Sequence, residues 1–181
     1  MERTSLSESL DVNVVRGAQT LESCGAQGTY HVVCKDSHGI TKWEETIDNL
    51  VVTVGRDYVL NTAFRGSAAD SSWYLGLLTS ATTPDVAHTM SSFPATLTES
   101  TATGTRNLLS FGAPAAGTGN ARKVTATATT FTATGTVTVT GCFLCTDSSG
   151  TSGTLYSAAL FSSSKALSLN DQITVTYSTE V

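Results

Sequence analysis

Ile173, Val175 and Tyr177 alternate with Thr174, Thr176 and Ser178 near the end of this chain. That two-residue period belongs to a strand with one face buried. The same period runs through 124–140, VTATATTFTATGTVTVT, but its phase slips at Thr129-Thr130. Before the slip Val124, Ala126 and Ala128 share a face; after it Phe131, Ala133, Val137 and Val139 do. A one-residue shift turns every side chain over, so the slip predicts a bulge or a crossing from one sheet to another. Threonine's branched β-carbon suits a pleated surface, and a flexible spacer would carry Gly and Ser instead. The segment reads as strand.

Further elements follow from the same patterning. TYHVVCKDSHGITKWEETI (29–47) predicts a hairpin turning at Asp36-Ser37-His38-Gly39, where glycine supplies positive φ. In 49–66 the period changes: Val51, Val54 and Tyr58 recur at helical spacing, and Leu60 stands four residues before Phe64. The reading is a helix near 53–64, capped by Asn49 or Thr53 and stopped at Gly66. SSWYLGLLT (71–79) is a compact apolar run of the kind buried on both faces. RNLLSFG (106–112), GCFLCT (141–146), TLYSAALF (154–161) and DQITVTYST (171–179) complete the strands, with SSGTSG and SLND as turns. Many short strands and one helix predict a mainly β fold, a β-sandwich or jelly roll, over 29–181. Residues 1–28 carry only scattered apolar positions, among them Leu10, Val12, Val14 and Val15. They read as an extended N-terminal arm able to add a strand to another sheet.

Length and composition narrow the classes. The chain has 181 residues, a one-domain length, and is 40% hydrophobic. No apolar run approaches the roughly 18–20 residues of a membrane-spanning helix. MERTSLSESLDV has no apolar stretch after its charges, so no secretory signal is expected. Net charge is −5 with no basic cluster, which argues against direct nucleic-acid binding. The distribution of charge says more. Of 25 charged residues 15 lie in 1–65, and between Lys123 and Lys165 the only one is Asp147. Uncharged strands invite pairing with other chains, so a surface covered by copies of itself or by a partner is the favoured reading. The uncharged strands 124–146 (Phe131, Val137 and Val139) and the arm are therefore the expected contact surfaces.

Candidate chemistry is sparse. Cys142-x-x-Cys145 has metal or redox spacing, but sits in a strand-like run where positions three apart face opposite ways. Buried small hydrophobes are expected. Cys24 and Cys34 could pair, although four cysteines without a signal sequence favour free thiols. Gly150-Thr151-Ser152-Gly153 is one residue short of a nucleophile elbow, and His31, His38 and His88 are scattered over a strand, a turn and a loop. Glu44 and Glu45 are adjacent on a strand and point apart, unlike the facing carboxylates of a glycosidase. Trp43, Trp73 and Tyr74 are the candidates for stacking on a ligand, against a core role for Trp73 and Tyr74. No catalytic, cofactor or metal site is assigned.

The ordered series KWEETIDNLVVTVG (42–55), SSWYLGLL (71–78), DVAHTMSSF (85–93) and GTLYSAALFSSSKALSLNDQITVTY (153–177) resembles a family of tailed-bacteriophage virion structural proteins. The resemblance covers most of 30–179 and leaves the arm unmatched. It implies a noncatalytic virion component made in the bacterial host cytoplasm. The expected role is a capsid decoration (cement) protein on the capsid exterior, whose partners are the major capsid protein and copies of itself, as dimers or trimers. A tail or fibre component, with receptor binding through Trp43 or the loop 80–100, is the alternative. A secreted carbohydrate-active enzyme or binding module is a third reading, disfavoured by the missing signal and missing paired acids.

Overall fold

The computed structural model describes residues 26–92 and 96–181. Their fold is mainly β: two antiparallel sheets packed as a sandwich, with one α-helix among the described residues. The first sheet runs in the order β2 (Thr41–Asp48), β1 (Gln27–Lys35), β11 (Gln172–Glu180), β7 (Arg122–Thr125), β6 (Ala115–Ala116), with β8 (Thr129–Thr132) also on β11. The second runs β3 (Leu50–Val51), β10 (Leu155–Leu167), β9 (Val137–Cys145), β4 (Trp73–Leu78), β5 (Asn107–Leu109). Alternation decides which side chains meet between them. Tyr30, Val32 and Cys34 of β1, Ile173, Val175 and Tyr177 of β11, and Leu75, Leu77, Cys142 and Leu144 of the second sheet form the main core.

The phase slip at Thr129-Thr130 resolves into both of its alternatives, one after the other. Thr125 pairs with Ser178 and Thr129 with Val175. Four steps on one strand thus match three on β11, which is a β-bulge. Ala126 and Phe131, of opposite parity, are therefore both buried. The chain then leaves the first sheet after Thr132 and enters the second at Val137.

The hairpin turn forms as expected. Gly39 has φ +82°, and the Asp36 carboxylate accepts hydrogen bonds from the His38 and Ile40 N–H groups at 2.9 Å each. The helix α1 spans Thr53–Phe64 and stops before Gly66, whose φ is +69°. Its N-terminus differs from expectation. Val52 occupies the cap position, the Thr53 N–H donates to the Val86 carbonyl, and the Asn49 amide instead donates to the Tyr177 hydroxyl. Tertiary partners took over the job of a side-chain cap. Gly55 is the buried residue of α1, and a β-carbon there would stand 2.5 Å from the Tyr156 carbonyl oxygen. The helix crosses β10 at a distance only glycine permits.

α1 and the loop after β4 cover the far side of the second sheet. Val52, Met90, Leu97, Phe143, Cys145 and Leu155 make a second core there, so the apolar runs 71–79 and GCFLCT are buried on both faces over 75–78 and 141–145, while Ser71 is exposed and Trp73 and Tyr74 are partly so. On one side the sandwich is closed by backbone bonds between segments 110–112 and 125–127: Thr127 N–H to the Ser110 carbonyl and Gly112 N–H to the Thr125 carbonyl. On the other side β10 bends toward β2. Between Leu160, opposite Gly141, and Lys165, opposite Val139, β10 carries extra residues. This bulge presents Phe161 to Trp43 (ring centroids 5.5 Å apart) and leaves the Ser162 N–H without a strand partner. Glu45 supplies one, accepting that N–H at 2.6 Å and pairing with Lys165 at 3.0 Å.

Candidate interaction surface

The outer face of the first sheet is a hydroxyl surface. Because Tyr30, Val32, Ile173, Val175 and Phe131 turn inward, their strand neighbours turn outward. Thr130, Thr174 and Val33 form one cross-strand row; Thr176 and His31 form the next; Thr125, Ser178 and Thr29 a third. Thr130 and Thr174 bond hydroxyl to hydroxyl at 2.8 Å, and Thr29 and Ser178 at 3.0 Å. Charge lies on the β1–β2 half, where His31 Nε2 lies 3.5 Å from Glu44, and at the end of β7 and β11, where Lys123 stands opposite Glu180. The β8–β11 half carries none until Glu180. A neutral protein surface laid on that half would desolvate no charge, and the Thr130 and Thr174 hydroxyls already partner one another. Towards Gln27 and Glu180 the face deepens into a cleft of about 380 Å³, lined by Thr29, Asp48, Thr118, Lys123, Ser178 and Glu180. Ala26, the first described residue, immediately precedes it in the chain.

This geometry corrects the contact residues expected within 124–146. Phe131 and Val139 are buried in the main core, and Val137 packs against it. A sandwich needs the apolar parity of each strand for its interior, so the threonine parity of β8 and β11 is what a partner can touch. Leu10, Val12, Val14 and Val15 lie outside the described residues.

The remaining candidates are engaged elsewhere. Cys142 belongs to the core between the sheets and Cys145 to the core behind the second sheet, so their thiols lie on opposite faces. Burial pushes the Cys34 thiol up to about 11, and raises those of Cys142 and Cys145. All three are free thiols, while Cys24 lies outside the described residues. Ser152 donates its hydroxyl hydrogen to Asp147 at 2.7 Å; His88 Nδ1 accepts the Asp85 N–H, and His31 meets the Thr46 hydroxyl at 3.2 Å. Glu44 and Glu45 do point apart: Glu44 is exposed, and Glu45 turns inward to Ser162 and Lys165. Trp43 is held between Phe161 and the Lys165 ammonium, 5.3 Å from its ring, and Trp73 between Tyr58 and Tyr156. Among the described residues no group of three or more His, Cys, Asp or Glu could hold a metal ion, and no helix is long and apolar enough to cross a membrane.

Two polar clusters were not legible in the sequence. Arg106, with its side chain 2% exposed, grips the Glu99 carboxylate through Nε and Nη2. It also donates to the Asp147 carbonyl at 2.9 Å and the Gly150 carbonyl at 2.8 Å, and lies over the Phe143 ring. One guanidinium thus ties the β9–β10 turn to the loop before β5. A single Arg preceding NLLSFG gave no signal of this, because its partners are 7 and 41–44 residues away. In the second cluster the buried Asp171 accepts the Ser168 N–H and pairs with Lys42 of the edge strand β2.

Burial alone would raise the Asp171 carboxyl, but Lys42 and the Ser168 N–H outweigh it and hold the group below its ordinary value. Glu45 is lowered likewise, with Ser162 and Lys165 prevailing over burial. A carboxyl whose folded pKa is depressed stabilises the fold above its unfolded pKa and loses that contribution as pH falls through the folded value. The urea midpoint should therefore decline between roughly pH 5 and pH 2, and Asp171→Asn should flatten that decline. An acid limb unchanged by Asp171→Asn would show that the Lys42 pair adds nothing.

No protein-family model matches the chain, and no curated protein matches it significantly.

Proposed function

We propose that this protein is a noncatalytic structural component of a tailed-bacteriophage virion: a capsid decoration protein that bridges and stabilises neighbouring major capsid subunits. The observation that carries this reading is the uncharged, hydroxyl-covered half of the first sheet, formed by β8 and β11. Together with the resemblance of 42–55, 71–78, 85–93 and 153–177 to that family, it favours a protein that acts by lying against other proteins. In this proposal the hydroxyl face rests on one capsid subunit while the N-terminal arm reaches a second. Each contact is modest, but the first raises the effective concentration for the next, and avidity then exceeds single-site affinity by roughly 10²–10⁴. Binding the assembled lattice and not its free subunits stabilises the shell by mass action.

Quantitative mass spectrometry of purified particles tests the proposal. A copy number equal to that of the major capsid protein, or a simple fraction of it, is expected. A ratio of a few per cent would replace the cement role by a tail or fibre role, and absence from the particle would overturn the virion reading altogether.

A further inference from the structure

The helix α1 is apolar on its outer side. Leu60 is 54% exposed and Phe64 81%, and being four residues apart they form one stripe. Val86, also exposed, lies near the start of the helix, where its carbonyl accepts the Thr53 N–H. The opposite side carries Gly55 against β10 and Tyr58 against Trp73, so the stripe is not used within the domain. Asp57, Asn61 and Arg65 follow at i, i+4 and i+8 and line one flank of it. Among the described residues neither Asp57 nor Arg65 takes part in an ion pair; the Arg65 guanidinium donates to the Asn61 side chain at 3.3 Å.

We infer that α1 is a self-association surface, on which the helix of a second copy packs antiparallel about a two-fold axis. The charge pattern selects both the occupant and its direction. Two antiparallel helices set like flank against like flank in reversed order, so Asp57 meets Arg65 of the other copy, Asn61 meets Asn61, and Arg65 meets Asp57. A parallel pair would turn these flanks to opposite sides and make neither Asp57–Arg65 contact. A two-fold contact must be complementary to itself, and this flank is. Phe64 and Leu60 then cover their counterparts along the axis. The helix has 12 residues and so is about 18 Å long. A single helix of that length offers a small contact, below the ~1,200 Å² or more that specific stable interfaces bury, which makes the dimer weak and concentration-dependent. It goes beyond the capsid proposal and does not rest on it, since the pair would form in solution without any particle.

Sedimentation velocity on the full chain, loaded from roughly 10 µM to 1 mM, spans the affinities of weak association. A monomer–dimer shift is expected for the native protein. Phe64→Glu should weaken it at least about tenfold, which corresponds to ~1.4 kcal/mol. Asp57→Arg and Arg65→Asp should each abolish it, and mixing the two variants should restore a heterodimer, because both cross-pairs are then of opposite charge. All three positions are exposed, and an unchanged melting temperature confirms that each variant folds. Native association indifferent to these changes, variants that fail to recover on mixing, or no association up to 1 mM would overturn the inference. The particle copy number is measured separately, so the two proposals stand or fall independently.

Discussion

Arg106→Ala is expected to destabilise the domain by about 3 kcal/mol, the low end of the ~3–5 kcal/mol that follows removal of one partner from a buried ion pair. The direction follows from what the guanidinium satisfies: both Glu99 oxygens and two backbone carbonyls, at the junction of two loops. Burial disfavours its charge, yet Glu99 more than offsets this and raises the group above its ordinary value. The low end applies because the Glu99 side chain is 26% exposed and can recover some water once abandoned. Arg106→Lys should regain only part of the loss, since an ammonium cannot grip a carboxylate side-on while reaching two carbonyls. Urea unfolding of the three proteins measures it. A loss below about 1 kcal/mol for alanine would mean that the two loops hold their places without the guanidinium, since surface substitutions away from such features stay within about 0.5 kcal/mol.

Gly141→Ala should be nearly as damaging, at about 2–3 kcal/mol, the upper part of the range for overpacking a well-packed site. The added β-carbon would stand 2.0 Å from the Ala159 carbonyl oxygen and 3.0 Å from Leu160 Cα. Both obstacles are backbone, so no side chain can swing aside. Gly141 faces β10 where that strand begins its bulge. Displacing it would disturb the Phe161–Trp43 contact and the Glu45–Ser162 bond that close the open side of the sandwich. The expected signature is therefore a lower urea midpoint together with altered tryptophan fluorescence. A midpoint within the error of the native protein's would show that the bulge can widen at little cost.

The Arg106 and Gly141 sites illustrate where sequence reading stops. Both owe their importance to partners that the chain brings together only on folding, and neither residue type is unusual in a loop or strand. Exposure of the helix stripe has the same origin. The Leu60–Phe64 spacing correctly predicted a helix, but an i, i+4 apolar pair ordinarily marks the buried side. Here Gly55 sits against β10 and turns the pair outward.

By itself, the sequence determined the mainly β class, the hairpin turn at Asp36–Gly39, the helix from Thr53 to Phe64, the bulge near Thr129 and the opposed faces of Cys142 and Cys145. Each of these is a local matter of side-chain period or backbone permission, written within a few residues. Only the tertiary structure decided which parity of β8 faced a core, which charges were buried in pairs, and which apolar residues were left over. Those outcomes depend on what lies across the sandwich. Phe131 was legible as a strand residue but not as a core residue, because alternation gives two faces and only the second sheet says which of them is inside.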